Sequence, residues 1–167
     1  MSINHKNTKP KQVSSKQMDA NGFDQWSAKY NDDVQESDAD KRYPFVAYNK
    51  IMDRLVELVQ PALGKAILDV GIGTGKLSRR LADLGCQITG LDFSDSMLAE
   101  ARKLLPAAHL ILWGFSKGLP PWIDEQRYEA ILCNYAIHHL RDREQQELIA
   151  QMLTHLKPEG CLLIAAS

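Results

Sequence analysis

Cysteine is scarce in this chain of 167 residues, with Cys86, Cys133 and Cys161 alone, none at C-x-x-C spacing and each in or beside an apolar run. That excludes a disulfide framework and a cysteine zinc site, and it reads as reduced core thiols. A charge surplus is missing as well: the formal net charge is −1, so no global basic field points to nucleic acid. No apolar run reaches the roughly 18–20 residues that cross a bilayer, and the polar N-terminus lacks the apolar stretch of a secretory signal. The expectation is a cytoplasmic chain with no membrane partner. What remains is ordinary for a globular domain: 44% hydrophobic and 25% charged residues.

Acids are absent from residues 1–18, which carry Lys6, Lys9, Lys11 and Lys16 among Ser, Asn, Gln and Thr. With nothing to bury and no aromatic residue to stack on a base, residues 1–20 read as a disordered tail. Residues 21–60 read as a lid and flanking helices. Phe23, Trp26 and Tyr30 recur at helical spacing. After an acidic link, Phe45, Tyr48, Ile51, Met52, Leu55, Leu58 and Val59 mark an amphipathic helix between Pro44 and Pro61.

From residue 61 to 167 the pattern becomes strand and helix in alternation. Strand-like runs are Ala66–Val70, Gln87–Leu91, His109–Leu112, Glu129–Asn134 and Cys161–Ala165; helix-like runs are Lys76–Leu84, Asp95–Leu105 and Arg143–Leu156. Gly85 suits a helix end and Ser94 a helix cap. The stretch around Pro120, Pro121 and Trp122 fits no regular element. Near-continuous apolar strands separated by amphipathic helices predict an α/β, Rossmann-like, doubly wound parallel sheet, five strands in order 3-2-1-4-5.

The segment Ile67-Leu68-Asp69-Val70-Gly71-Ile72-Gly73-Thr74-Gly75-Lys76-Leu77-Ser78 joins the first strand to the next helix. Its glycines let the backbone turn sharply and a ligand approach closely, before a helix N-terminus with unpaired N–H groups. It is not a P-loop: Val70 occupies the first glycine position and Leu77 replaces the metal-binding hydroxyl. It is not G-x-G-x-x-G either, because the third glycine falls at 75 and Lys76 stands in its place. Asp69, two residues before Gly71, is a poor neighbour for pyrophosphate, since like charges repel in a partly desolvated site. It suits S-adenosylmethionine (SAM), which has no phosphate, an ammonium and a cationic sulfur. Asp92, 17 residues after Gly75 and at the tip of the next strand, can accept from ribose hydroxyls; that contact serves SAM and NAD alike. It can also simply begin the turn into Ser94.

With these residues in place the chain resembles the class I SAM-dependent methyltransferases, in particular small stand-alone bacterial members with no assigned substrate. The first motif is similar to Ile67–Ser78 and the second to Gly90–Leu98. Tyr128–Ile131 with Ala136–Leu140 looks like the fourth strand and its exit, and Leu156–Ile164 like the K-P-G-G turn into the fifth. The resemblance implies a SAM pocket shaped by Gly71, Gly73 and Gly75, with Asp69 nearby, Asp92 on the ribose, Phe93 and Met97 beside the adenine, and Tyr30, with Trp26, closing over the methionine end. Core packing accounts for Phe93 and Met97 about as well, and amphipathic packing for Tyr30. Two departures stand out. The acid that relatives carry after the third strand is missing, since Trp113-Gly114 leads into Phe115, and the chain stops after its fifth strand where the family has seven. The expectation is a truncated product whose fifth strand is an exposed edge open to self-association.

Methyl transfer from a sulfonium needs alignment more than acid or base, so the motifs name no catalytic residue. His138 and His139, at the mouth of the fourth strand, are candidates for orienting or deprotonating an acceptor; packing of the turn is their other reading. With Asp142 they lack the further ligand a metal requires. The expected activity is methyl transfer to an acceptor, read as a small molecule. The alternatives are a non-catalytic SAM-binding or interaction module and, disfavoured by Asp69 and Lys76, a nicotinamide-dependent oxidoreductase.

Overall fold

A computed structural model describes residues 48–61, 63–123 and 127–166. Phe23, Trp26 and Tyr30 lie outside them. Among the described residues, five parallel strands form one sheet in the order β3-β2-β1-β4-β5. The strands are β1 (Ala66–Val70), β2 (Gln87–Asp92), β3 (His109–Leu112), β4 (Tyr128–Asn134) and β5 (Leu156–Ala165). The helices are α1 (Tyr48–Val59), α2 (Lys76–Asp83), α3 (Asp95–Leu104) and α4 (Asp142–Thr154). None of the described helices is long and apolar enough to cross a membrane.

Side chains alternate along each strand, so neighbours in sequence enter opposite cores. Ile67, Ala130 and Leu132 pack with Met52, Leu55, Leu81 and Leu98 of α1, α2 and α3. Leu68, Ile131 and Cys133 pack with Leu148 and Met152 of α4 and with Phe115. Both faces of β1 and β4 are therefore covered, which is why these strands read as unbroken apolar runs. β3 and β5 form the edges of the described sheet.

The local signals account for most boundaries. Tyr48, Met52, Leu55 and Val59 form the buried stripe of α1. Its end is closed by Lys65, whose Nζ donates to the carbonyls of Val59 (2.9 Å) and Gln60 (2.7 Å). The Ser94 hydroxyl accepts from the Met97 N–H at 3.2 Å and caps α3 as its sequence predicts. The stretch around Pro120 resolves into two 3-10 turns, Phe115–Lys117 and Pro121–Ile123.

Most ends shift by no more than one residue, but the junction of α4 and β5 differs by more. The helical pattern carries through Leu156, yet α4 stops at Thr154 and Leu156 pairs with Tyr128 in the sheet. After that pair, Ala130 meets Cys161, so Lys157–Gly160 loop out of the ladder. Glu159 takes the left-handed conformation there (φ 63°). A leucine has no helical or strand identity of its own; the ladder with β4 decides its state.

Candidate cofactor site

Strand order reverses between β1 and β4, and in a doubly wound sheet the crevice beyond the strand tips at such a reversal is the ligand edge. The tips of β1, β2 and β4 bring Asp69, Gly71, Gly73, Asp92, Phe93 and Met97 together there, whereas Gly75 packs against Leu105 and Ala101 of the α3 end and lines neither hollow.

The bend after β1 is anchored on β2, where the Leu91 carbonyl accepts from the N–H of both Gly71 (2.8 Å) and Ile72 (2.9 Å). Gly71 is left-handed (φ 79°), and a Cβ on it would stand 2.3 Å from the Ala136 methyl at the exit of β4. Gly73 is also left-handed (φ 56°), but a Cβ there would meet nothing within 4 Å among the described residues. One glycine closes the packing and the other faces open space.

Asp92 lies against this bend, as expected from the topology. Its Oδ2 accepts from the Gly73 N–H at 2.8 Å and its Oδ1 from the Ser94 N–H at 2.9 Å. The carboxylate is only 5% exposed. It starts the turn into the α3 cap, one of the two readings the sequence allowed, and it also ties that turn to the glycine bend, which the sequence did not indicate.

Asp69 is buried deeper, at the end of β1, with the Ser78 hydroxyl donating to its Oδ2 at 2.6 Å. Burial pushes its pKa up to about 7; Ser78 opposes that shift and the nearby Asp92 charge adds to it. Burial, and then the charge of Asp69, push the Cys133 thiol up to about 12, so Cys133 is no nucleophile.

Phe93 and Met97 border the same crevice. The Phe93 ring meets Phe115 edge-on, centroids 6.0 Å apart, and Met97 is buried. Phe115, which follows Gly114 where an acid was expected, is buried against Phe93, and the neighbouring Trp113 donates its indole N–H to the Gly118 carbonyl at 2.8 Å while its ring meets Trp122 edge-on.

At the exit of β4, Tyr135 adopts φ 53° and its ring stacks on Tyr48 of α1 at 5.7 Å. His138 and His139 follow on a 3-10 turn, ring centroids 4.1 Å apart. His139 faces the crevice and His138 is the more exposed. Burial and then the neighbouring His138 lower the His139 pKa to about 4, and partial burial lowers that of His138. Both rings are neutral at physiological pH. An imidazole of pKa about 4 accepts a hydrogen bond well and captures a proton poorly near neutrality.

Two narrow hollows open along this edge, of about 40 Å³ and about 30 Å³. Gly71, Gly73 and Asn134 line both; Asp92, Phe93 and His139 line the first, and Asp69, Lys76 and Tyr48 the second. Neither hollow by itself has a nucleoside's volume. A larger hollow, about 640 Å³, lies at the opposite edge between Arg79, Gln87, Leu105 and His109. It has no glycine bend and lies at the starts of β2 and β3, away from the strand tips. Asn134 and Tyr48 were missed as site residues by sequence; a polar residue ending an apolar strand is the signal that marks Asn134.

The arrangement is that of a doubly wound α/β protein with its ligand edge at the switch point. Residues 67–160 match the family model of the methyltransferase domain. An uncharacterized methyltransferase of Geobacillus kaustophilus is 32% identical over 143 residues, 86% of this chain and 64% of that protein. One of Oceanobacillus iheyensis is 33% identical over 141 residues, 84% of this chain and 63% of the relative. The chain thus spans just under two thirds of the length of these curated relatives. Among solved structures, a TehB-like SAM-dependent methyltransferase from Corynebacterium glutamicum superposes with a TM-score of 0.63 at 19% identity, over 82% of this chain and 71% of that one. Another, from Geobacter sulfurreducens in complex with S-adenosyl-L-homocysteine, gives 0.55 at 21% identity, over 68% and 46%. The chain belongs to the class I SAM-dependent methyltransferase family.

Proposed function

We propose that this chain binds SAM at the β1–β2–β4 edge and transfers its methyl group to a small-molecule acceptor. The observation that carries the reading is the Asp92 carboxylate fastened to the Gly73 N–H. It sets an anionic acceptor and an unobstructed glycine side by side at the switch point. The residues fit the group. Gly73 leaves room for it, Asp92 brings a carboxylate to the ribose, Phe93 and Met97 supply an apolar wall for the base, and Asp69 is an acid near its positive end. The near-zero net charge favours a small metabolite over nucleic acid as acceptor, and the reduced cysteines favour the cytoplasm.

Bound SAM would supply an electrophilic methyl carbon on a cationic sulfur. The chain's own task is then alignment in a dry cleft. Asp92 sets the position of the nucleoside and of the glycine bend together, so loss of its carboxylate disturbs both. Phe93 and Phe115 give the first hollow an apolar wall. His139, neutral, offers an acceptor atom to an incoming hydroxyl or amine and orients it without removing its proton in advance.

Titration calorimetry tests the reading. SAM and S-adenosylhomocysteine are expected to bind and NAD(H) not to. Asp92→Ala is expected to weaken SAM by about a hundredfold or more, since hydrogen bonds to a charged group each contribute about 1.5–3 kcal/mol. Heat with NAD(H) in place of SAM would reassign the site to nicotinamide chemistry.

A further inference from the structure

The Asn134 side-chain oxygen is enclosed and meets no donor among the described residues. A buried acceptor left without a partner costs free energy, and this one stands at the tip of β4, at the switch point. Its position is built firmly. The next residue, Tyr135, is held in a left-handed conformation, its N–H donates to the Ala165 carbonyl at 2.7 Å, and its ring lies on Tyr48. Strain of this kind persists only where the surroundings impose it.

Asn134 borders both hollows, and their linings indicate the chemistry that would come to its oxygen. One pairs a carboxylate with apolar walls (Asp92, Phe93, Met97) and suits a nucleoside; the other pairs an acid with a lysine (Asp69, Lys76) and suits the two charges of an amino acid. Asn134 lines both, together with Gly71 and Gly73. In SAM the atom that joins nucleoside to amino acid is the sulfur. Resting on the cofactor reading above, we propose that the Asn134 carboxamide oxygen faces this sulfur and holds the positively charged methyl donor in preference to its neutral demethylated product. A carbonyl dipole attracts a sulfonium and its polarised methyl group, whereas it gains little from a thioether whose lone pairs face it. Product release is then favoured by the same atom that holds the donor.

The test is calorimetry of the full chain and of Asn134→Ala with SAM, S-adenosylhomocysteine and sinefungin, whose ammonium replaces the methylated sulfur. All three share the amino-acid ammonium, so a contact to that end would weaken them equally. The expected result is a loss of about tenfold or more for SAM and sinefungin, and less than about threefold for S-adenosylhomocysteine. Parallel losses, or none, overturn the assignment to Asn134 while leaving the cofactor reading in place. No binding of any of the three to the wild-type chain overturns both. Should Asn134→Ala fail to fold, the methyl proton signal of [methyl-¹³C]SAM on the wild-type protein decides. A downfield move on binding supports the contact, and an unmoved signal overturns it.

Discussion

Asp69→Asn is expected to stabilise the fold at pH 8 and to leave it nearly unchanged at pH 4. The carboxyl group is 2% exposed and its pKa in the fold is about 7, against an ordinary value of 3.8. Between those values the folded state holds a proton that the unfolded chain has released. Stability from this group is therefore complete at low pH and falls as pH rises toward 7. The full difference is on the order of 4 kcal/mol. Asparagine keeps the oxygen that accepts from Ser78 and cannot ionise. The depressed histidines act in the opposite direction: with folded pKa values below 6.5, they bind fewer protons than the unfolded chain, and stability from them rises with pH over that range. Comparing urea midpoints of wild type and Asp69→Asn at each pH cancels the histidine part. The gap should open between about pH 4 and pH 7 and then level off. A constant gap would mean that Asp69 does not titrate in that window.

The second large effect separates two glycines only two residues apart: Gly71→Ala should damage the fold and Gly73→Ala the site. At Gly71 the new methyl meets Ala136 at 2.3 Å. That atom is fixed directly to the backbone of the β4 exit, so no side chain can swing away. Overpacking costs about 1–3 kcal/mol and the left-handed backbone about 1–2 kcal/mol more. A fall in Tm on the order of 10 °C is expected. At Gly73 the conformational cost is similar, but the methyl enters open space. Its Tm should fall by only about a third as much, while SAM affinity drops by about tenfold or more because the methyl occupies the cofactor's approach. Equal melting points for the two variants would contradict the contact at Ala136.

Much of the fold was legible in the sequence because it rests on local periodicity. Apolar strand runs, helical stripes, Ser94 as a cap and the glycine bend all express preferences of a few neighbouring residues. Leu156 was misplaced because its helical spacing continued a real helix, and only pairing with Tyr128 drew it into β5. The place of Asp92 at a strand tip beside the glycine bend was legible. Its hold on the Gly73 N–H was not, since 19 residues separate the two.

The sequence by itself determined the order of elements and the residue types offered at each strand tip, for those follow from spacing and side-chain chemistry. Tertiary structure alone decided what each of those residues experiences. It buried Asp69 beneath the bend and raised its proton affinity, stacked Tyr48 on Tyr135, and enclosed the Asn134 oxygen without a donor. Burial and hydrogen-bond satisfaction depend on atoms brought together from distant parts of the chain, and no local pattern encodes them.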